Sequence, residues 1–207
     1  MAQVDGLFKA TAMPDRDWWQ ALWPDPRRVL GMVGIQPGMT VLDLCCGDGY
    51  FTAPLSGLVD GRVYGIDLDP GLLERARREI ELAGVPSVQL IQGGAFDLAE
   101  LVPEQVDYVL IANTFHGVPE PTALSELVHS ALKDGGLFAI INWYPKPREQ
   151  TSVLGKPRGP STETRMSPEA VRKVVEPAGF TLERVVELPP YHYGAVFRKN
   201  PESAVAQ

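Results

Sequence analysis

Thr40-Val41-Leu42-Asp43-Leu44-Cys45-Cys46-Gly47-Asp48-Gly49-Tyr50-Phe51-Thr52 reads as a strand, a loop and the start of a helix. Apolar and β-branched residues run into an aspartate, a turn with two glycines follows, and the next residues can wind into a helix from about Gly49 to Leu58. This order opens many α/β ligand sites. Glycine lets a ligand approach backbone that a Cβ would cover, and a helix behind such a turn offers free N–H groups.

The second stretch, Gly61-Arg62-Val63-Tyr64-Gly65-Ile66-Asp67-Leu68-Asp69-Pro70, reads as a short strand ending in acid, with Asp67 24 residues after Asp43. An acid at the end of a second strand can accept both hydroxyls of a ribose. A dinucleotide fingerprint asks for G-x-G-x-x-G. Here the third glycine position is Thr52, so a nucleotide-dependent oxidoreductase fits poorly.

The pattern Asp43-x-Cys45-x-Gly47-x-Gly49 resembles the first motif of the class I S-adenosylmethionine (SAM)-dependent methyltransferases, D-x-G-x-G-x-G. Val106-Asp107-Tyr108-Val109-Leu110, Leu132-Lys133-Asp134-Gly135-Gly136 and Pro177-Ala178-Gly179-Phe180 match later segments of that family in the right order. The resemblance spans roughly residues 25–198. It implies a Rossmann-like, seven-stranded, mostly parallel α/β sheet with a C-terminal antiparallel hairpin and helices on both faces. It further implies that Asp43 orients the loop and the ammonium end of SAM, and that backbone at Cys45, Gly47 and Gly49 lines its methionine portion. Asp67 would hold the ribose, Leu68 would lie against the adenine, and Ala95, Phe96 and Asn113 would complete the cofactor site. S-adenosylhomocysteine (SAH) is the implied product. Two positions depart from the family pattern. Cys45 stands where the first glycine is usual, tolerable if its φ stays negative, and Gly94 stands where an acid usually meets the adenine.

The 207 residues suit one domain, with 44% hydrophobic and 22% charged side chains. A net charge of -7 argues against a general DNA or RNA binder. The two cysteines, Cys45 and Cys46, are adjacent and cannot staple a fold, so a reducing, cytoplasmic compartment is expected. As a pair they either pack as small hydrophobes or meet a thiophilic substrate. No metal site is expected, and no run approaches the length of a membrane span. The expected state is a monomer or homodimer.

Residues 1–35 read as a loose leader, then a short helix and a second one from Pro26 to Val33. Trp18, Trp19 and Trp23 either pack this leader on the sheet, close it as a lid over a substrate pocket, or both. Pro70 starts a helix that Gly84 stops, with Glu74/Arg78 and Arg75/Glu79 as i,i+4 pairs. Strands are expected at 40–44, 62–67, 87–91, 106–112, 137–142, 181–187 and 192–198, with helices between. The repeated strand–helix units imply right-handed crossovers.

Residues 143–166 form the one long irregular segment, with four prolines and a net charge of +3 from five cations and two acids. A loop this long inside a compact domain is usually functional or disordered. It either receives an anionic substrate, with Arg148, Arg158 and Arg165 as clamps, or is a solvated basic loop. Trp19, Trp143, Tyr191 and Tyr193 are further substrate candidates. Strand alternation would send the two tyrosines to one side and His192 to the other. Asn142 ends the fifth strand beside Trp143.

Asn113-Thr114-Phe115-His116 closes the fourth strand and lacks the N/D-P-P-Y/F pattern of nucleic-acid amino-methylating relatives. His116 is the acid–base candidate, since an unperturbed imidazole titrates near about pH 6.5, or else it is a wall of the pocket. The expectation is methyl transfer from SAM to a small-molecule acceptor. The alternatives are a protein or RNA methyltransferase and a non-catalytic SAM-binding regulator.

Overall fold

The computed structural model describes residues 6–9, 11, 13, 14, 16–84 and 88–201. Part of the expected loose leader, and Ser87 at the start of the third strand, lie outside them. Two short helices come first, α1 (Arg16–Leu22) and α2 (Pro26–Met32). Asp25 caps α2 by accepting from the Arg28 N–H, with Pro26 at its first position. The alternation then begins: β1 (Val41–Leu44), α3 (Thr52–Val59), β2 (Val63–Asp67), α4 (Pro70–Ala83), β3 (Val88–Gln92), α5 (Leu98–Leu101), β4 (Val106–Ala112), α6 (Pro121–Ala131) and β5 (Leu132–Trp143). A two-residue-per-strand hairpin, β6 (Ser152–Val153) and β7 (Lys156–Pro157), sits in the long segment. α7 (Pro168–Val175), β8 (Phe180–Leu188) and β9 (His192–Lys199) complete the chain.

Seven strands form one sheet in the order β3-β2-β1-β4-β5-β9-β8. All neighbours are parallel up to β5, and β9 is antiparallel to both β5 and β8. The winding direction reverses between β1 and β4. That is the switch point where an open α/β sheet leaves a crevice at the carboxyl ends of its strands. The central strands β1 and β2 are buried at every residue, as strands covered on both sides must be. One face carries Leu42, Leu44, Val109, Ile111 and Phe138 against α5, α6 and α7. The other carries Val41, Tyr108, Leu110 and Ile141 against α1, α2 and α3.

Local signals explain most boundaries. Asp69 caps α4 by accepting from the Gly71 and Leu72 N–H groups, and Gly84 ends it at φ +66°. Three expectations need correction. The helix after the first motif starts at Thr52, because Gly49 stands at φ +79° and holds Tyr50 and Phe51 in a turn. β5 starts at Leu132, where the Val106–Leu132 pairing and an irregularity before Tyr108 take Lys133 to Gly136 into the strand. Glu74 does pair with Arg78, but Glu79 turns to Arg16 at 3.0 Å and not to Arg75. Among the described residues no helix is long and apolar enough to cross a membrane.

Candidate active site

A cavity of about 670 Å³ lies at the carboxyl ends of β1, β2 and β4. Its floor is the first motif. Asp43, in β1, is almost fully buried, and its Oδ2 accepts a 2.6 Å hydrogen bond from the Thr52 hydroxyl. Burial pushes its carboxyl up to about 7, the Thr52 bond opposes that, and the nearby Asp67 adds to it. Asp67 ends β2. Its Oδ2 accepts from the Gly47 N–H at 2.8 Å and its Oδ1 from the Asp69 N–H at 2.9 Å. Burial raises its carboxyl, against those two N–H groups. Among the described residues no ion pair involves either acid. The floor therefore presents two buried carboxyls without a cationic partner among the described residues.

The loop between the acids is shaped by three left-handed residues. Cys45 sits at φ +61°, so the condition of a negative φ is not met. A cysteine in this region carries Cβ strain that the usual glycine avoids. Gly47 stands at φ +57° and lines the cavity, where an added Cβ would lie 3.0 Å from Met13 Sδ. Gly49 does not line it. An added Cβ there would be 2.8 Å from the Ala76 Cβ, so this glycine admits the close approach of α4. Both thiols are pushed well up by burial beside the two acids and stay protonated. Cys46 also fastens the loop, its N–H donating to Ile66 O at 2.9 Å.

Leu68, Ala95, Phe96, Asn113 and His116 all line the same cavity. Phe96 meets the edge of Phe8 with ring centroids 6.1 Å apart. Asp97 is turned away, accepting from the Gly94 N–H at 3.2 Å. Asn113 closes β4 at φ +58°, its N–H donating to Ile141 O. Its side-chain Oδ1 is shut off from solvent with no hydrogen-bond partner among the described residues. Such an atom marks a place where a donor is wanted. His116 follows in a 3₁₀ turn anchored by the fully buried Phe115.

The opposite wall is aromatic. Trp18, Trp19 and Trp143 line it, with centroids 5.1 Å apart for Trp18–Trp19 and 6.1 Å for Trp18–Trp143. Tyr50 and Phe51 join them, and the Tyr50 hydroxyl donates to the carbonyls of Trp19 and Trp23. Leu7, Phe8, Thr11, Met13 and Pro14 also line the cavity, so the described part of the leader lies over it. The Lys9 carbonyl comes so near Gly117 that a Cβ there would be 2.2 Å away.

The long basic segment divides its arginines. Arg148 and Arg158 line the cavity. Arg165 does not. It is buried, and its guanidinium donates to the carbonyls of Lys146, Arg158 and Pro160 and to the Thr151 hydroxyl, while lying 5.0 Å from the Trp143 ring. Those carbonyls have no sheet partner in an irregular loop, and one planar fork satisfies them together. The tyrosines are also outside the cavity lining. Tyr193 is fully buried and donates to Met166 O at 2.8 Å. Tyr191 donates to Ser152 O and stacks on Trp143. Tyr191 precedes β9, so strand alternation does not reach it. It falls on the same side as His192, which is wedged 4.0 Å from Trp143 and 4.5 Å from Trp23. Asn142 is fully buried and does not line the cavity either.

Tyr50, Phe51 and Met13 line the cavity although the sequence did not point to them, and Trp18, expected in a packed leader or a lid, lines it too. The first two were assigned to a helix, and only the turn at Gly49 brings them to the cavity. The leader residues carried no periodicity that could have located them.

Residues 35–176 match the family model described as a methyltransferase domain. The chain is 31% identical over 115 residues to the demethylmenaquinone methyltransferase of Geobacillus stearothermophilus, covering 55% of this chain and 49% of the relative. It is 34% identical over 117 residues to the protein of the same name from Staphylococcus aureus (strain MRSA252), covering 56% and 47%. The chain thus spans about half the length of these curated relatives. A SAM-dependent methyltransferase from Aquifex aeolicus superposes with a TM-score of 0.74 at 29% identity, over 89% of this chain and 93% of that one. With the motif loop, the strand order and the match over more than half of its length in agreement, the chain belongs to the class I SAM-dependent methyltransferase family.

Proposed function

We propose that this protein transfers a methyl group from SAM to a small-molecule acceptor. The observation that carries the reading is that Asp43 and Asp67, buried without a cation among the described residues, share one cavity with the glycine loop and a tryptophan wall. The residues present fit the cofactor. Asp43 offers a carboxylate to an ammonium, and Asp67 keeps lone pairs for ribose hydroxyls beyond the two it gives to N–H groups. The unpartnered Asn113 Oδ1 is ready for a donor. A volume of about 670 Å³ lies within the ordinary range for small-molecule sites.

When bound, SAM supplies a methyl carbon on a sulfonium, open to in-line attack. The chain's own contribution is then position. Holding the acceptor atom in line removes much of the entropy cost of a two-body reaction. His116, lining the same cavity from the turn after β4, takes the proton of a hydroxyl, amine or thiol acceptor. Described leader residues and the basic segment line the site from above, which suits a small acceptor better than a macromolecule. The relatives' name, demethylmenaquinone methyltransferase, agrees with a small acceptor. Two adjacent free thiols suit a reducing, cytoplasmic setting.

Isothermal titration with SAM and SAH tests the reading. Both are expected to bind, and Asp67→Ala to weaken binding about 100-fold, the loss of two charge-assisted hydrogen bonds. Folded protein that binds neither would overturn it.

A further inference from the structure

Among the described residues, Arg158 is the cation on the cavity wall with a buried donor that no acceptor meets. It lines the cavity, yet its Nε–H is shut off from solvent with no hydrogen-bond partner among the described residues. Arg148, also on the wall, uses its Nε on the Gly159 carbonyl. No ion pair among the described residues joins either arginine to a carboxylate. These two charges sit in a segment of net +3 within a chain of net -7.

What surrounds Arg158 is flat and apolar. Its guanidinium lies 5.6 Å from the Trp18 ring. Trp18 stacks on Trp143 at an interplanar angle of 29° and on Trp19 at 20°. The backbone beside Arg158 is pressed on the same wall, since a Cβ on Gly159 would be 2.9 Å from the Trp143 indole. Met13, Tyr50 and Phe51 continue the apolar lining. The faces of Trp18 and Trp143 are already covered by neighbouring rings and guanidiniums, so the wall offers ring edges, against which a planar aromatic packs edge-to-face. An arginine edge with a free Nε–H selects a two-oxygen anion, which can take Nε and Nη side by side.

Resting on the methyltransferase reading, we infer that the acceptor is a planar aromatic ring bearing a carboxylate, with Arg158 as its specificity-determining residue. The ring lies along the Trp18–Trp143 wall and the carboxylate receives the orphaned Nε–H. Arg148 adds charge at the same side of the cavity.

The test is calorimetric binding of 3-hydroxy-2-naphthoate and of 2-naphthol, the same ring without the anion, to wild-type protein with and without SAH. Wild type is expected to bind the naphthoate at least about tenfold more tightly than the naphthol. Arg158→Gln should remove that preference, and Arg158→Lys, which keeps the charge and loses the planar edge, should retain part of it. SAH titration of each variant separates this from the cofactor site and reports folding. Equal or tighter binding of the naphthol, or a preference that survives Arg158→Gln, overturns the inference while SAH still binds. Failure of SAH itself to bind wild type overturns the reading beneath it. If Arg158→Gln does not fold, an unchanged preference in Arg158→Lys together with Arg148→Gln overturns the inference.

Discussion

At one end of the cavity, Asp43, Gly47 and Asp67 come from a single strand–loop–helix–strand stretch, and a hydrogen bond ties Gly47 to Asp67. At the other end, Trp18 comes from α1 while Trp143 ends β5 and Arg158 lies in the long segment after it, and they meet by ring and guanidinium contacts. The first end is set by parallel pairing of β1 with β2 and β4, which fixes where the strands stop. The second is set by ring stacking and by a loop folded around Arg165. The motif end is thus rigid through backbone, and the aromatic end through side chains. Damage at one should look different from damage at the other.

The largest effect is expected at the aromatic end. Arg165→Ala removes four donated contacts from buried or half-buried acceptors and uncovers the Trp143 face, for a loss of about 3–5 kcal/mol of stability. Urea denaturation measures it, and limited proteolysis should then cut within residues 144–165. If stability is unchanged, side chains do not hold that end.

Gly49→Ala probes the motif end through the backbone. It combines a left-handed φ with a Cβ 2.8 Å from Ala76, and should cost about 2–4 kcal/mol. Gly47→Ala meets only the flexible Met13 sulfur, so it should cost about 1–2 kcal/mol, with its main effect on SAM affinity. Equal stability losses for the two glycines would remove the distinction between them.

Proton linkage sharpens the electrostatic side of the contrast. Burial raises the Asp43 carboxyl from its unfolded value near 3.8 to about 7. A raised folded pKa means that its contribution to stability is fully present below the unfolded value and is lost as pH rises through about 7. A ligand ammonium reverses this by favouring the carboxylate. SAM affinity should therefore rise as pH goes from 6 to 8, by about tenfold, with a proton released on binding at pH 6. Titration in two buffers of different ionisation enthalpy measures that proton. Release that is absent at pH 6 would mean that Asp43 does not face the ammonium. Binding at the aromatic end, with Arg158 as its anchor, should show no such step over this range.

The smallest effect belongs to Arg16, which bridges α1 to Asp48 at 3.2 Å and to Glu79 at 3.0 Å. It is the one ion-paired link between the leader and the motif loop among the described residues. Its side chain is 30% exposed, so Arg16→Ala should cost about 0.5–1 kcal/mol and lower SAM affinity about threefold. A stopped-flow measurement should find the loss in a faster SAM off-rate. A change confined to the on-rate would argue against a closing role for α1.

The sequence placed Asp43, Asp67, Asn113 and His116 on the cavity because each stands at the end of a strand or in the turn after it, and strand ends follow from apolar runs. It also brought Trp19, Trp143, Arg148 and Arg158 into consideration by composition alone. It could not sort Arg165 from Arg158, although both are arginines in the same basic segment. One is consumed by loop carbonyls and the other keeps an unpartnered Nε–H. Nor could it tell that Gly49 serves α4 and Gly47 the cavity, since both are glycines two residues apart.

By itself, then, the sequence determined where most strands and helices fall along the chain and that two acids stand at strand ends, because periodic burial and strand ends are local properties of the chain. Only the tertiary structure decided which arginine is free, which glycine meets a ligand and which tryptophans form a wall. Those assignments depend on what lies opposite each side chain, and the partner comes from a segment that no local pattern encodes.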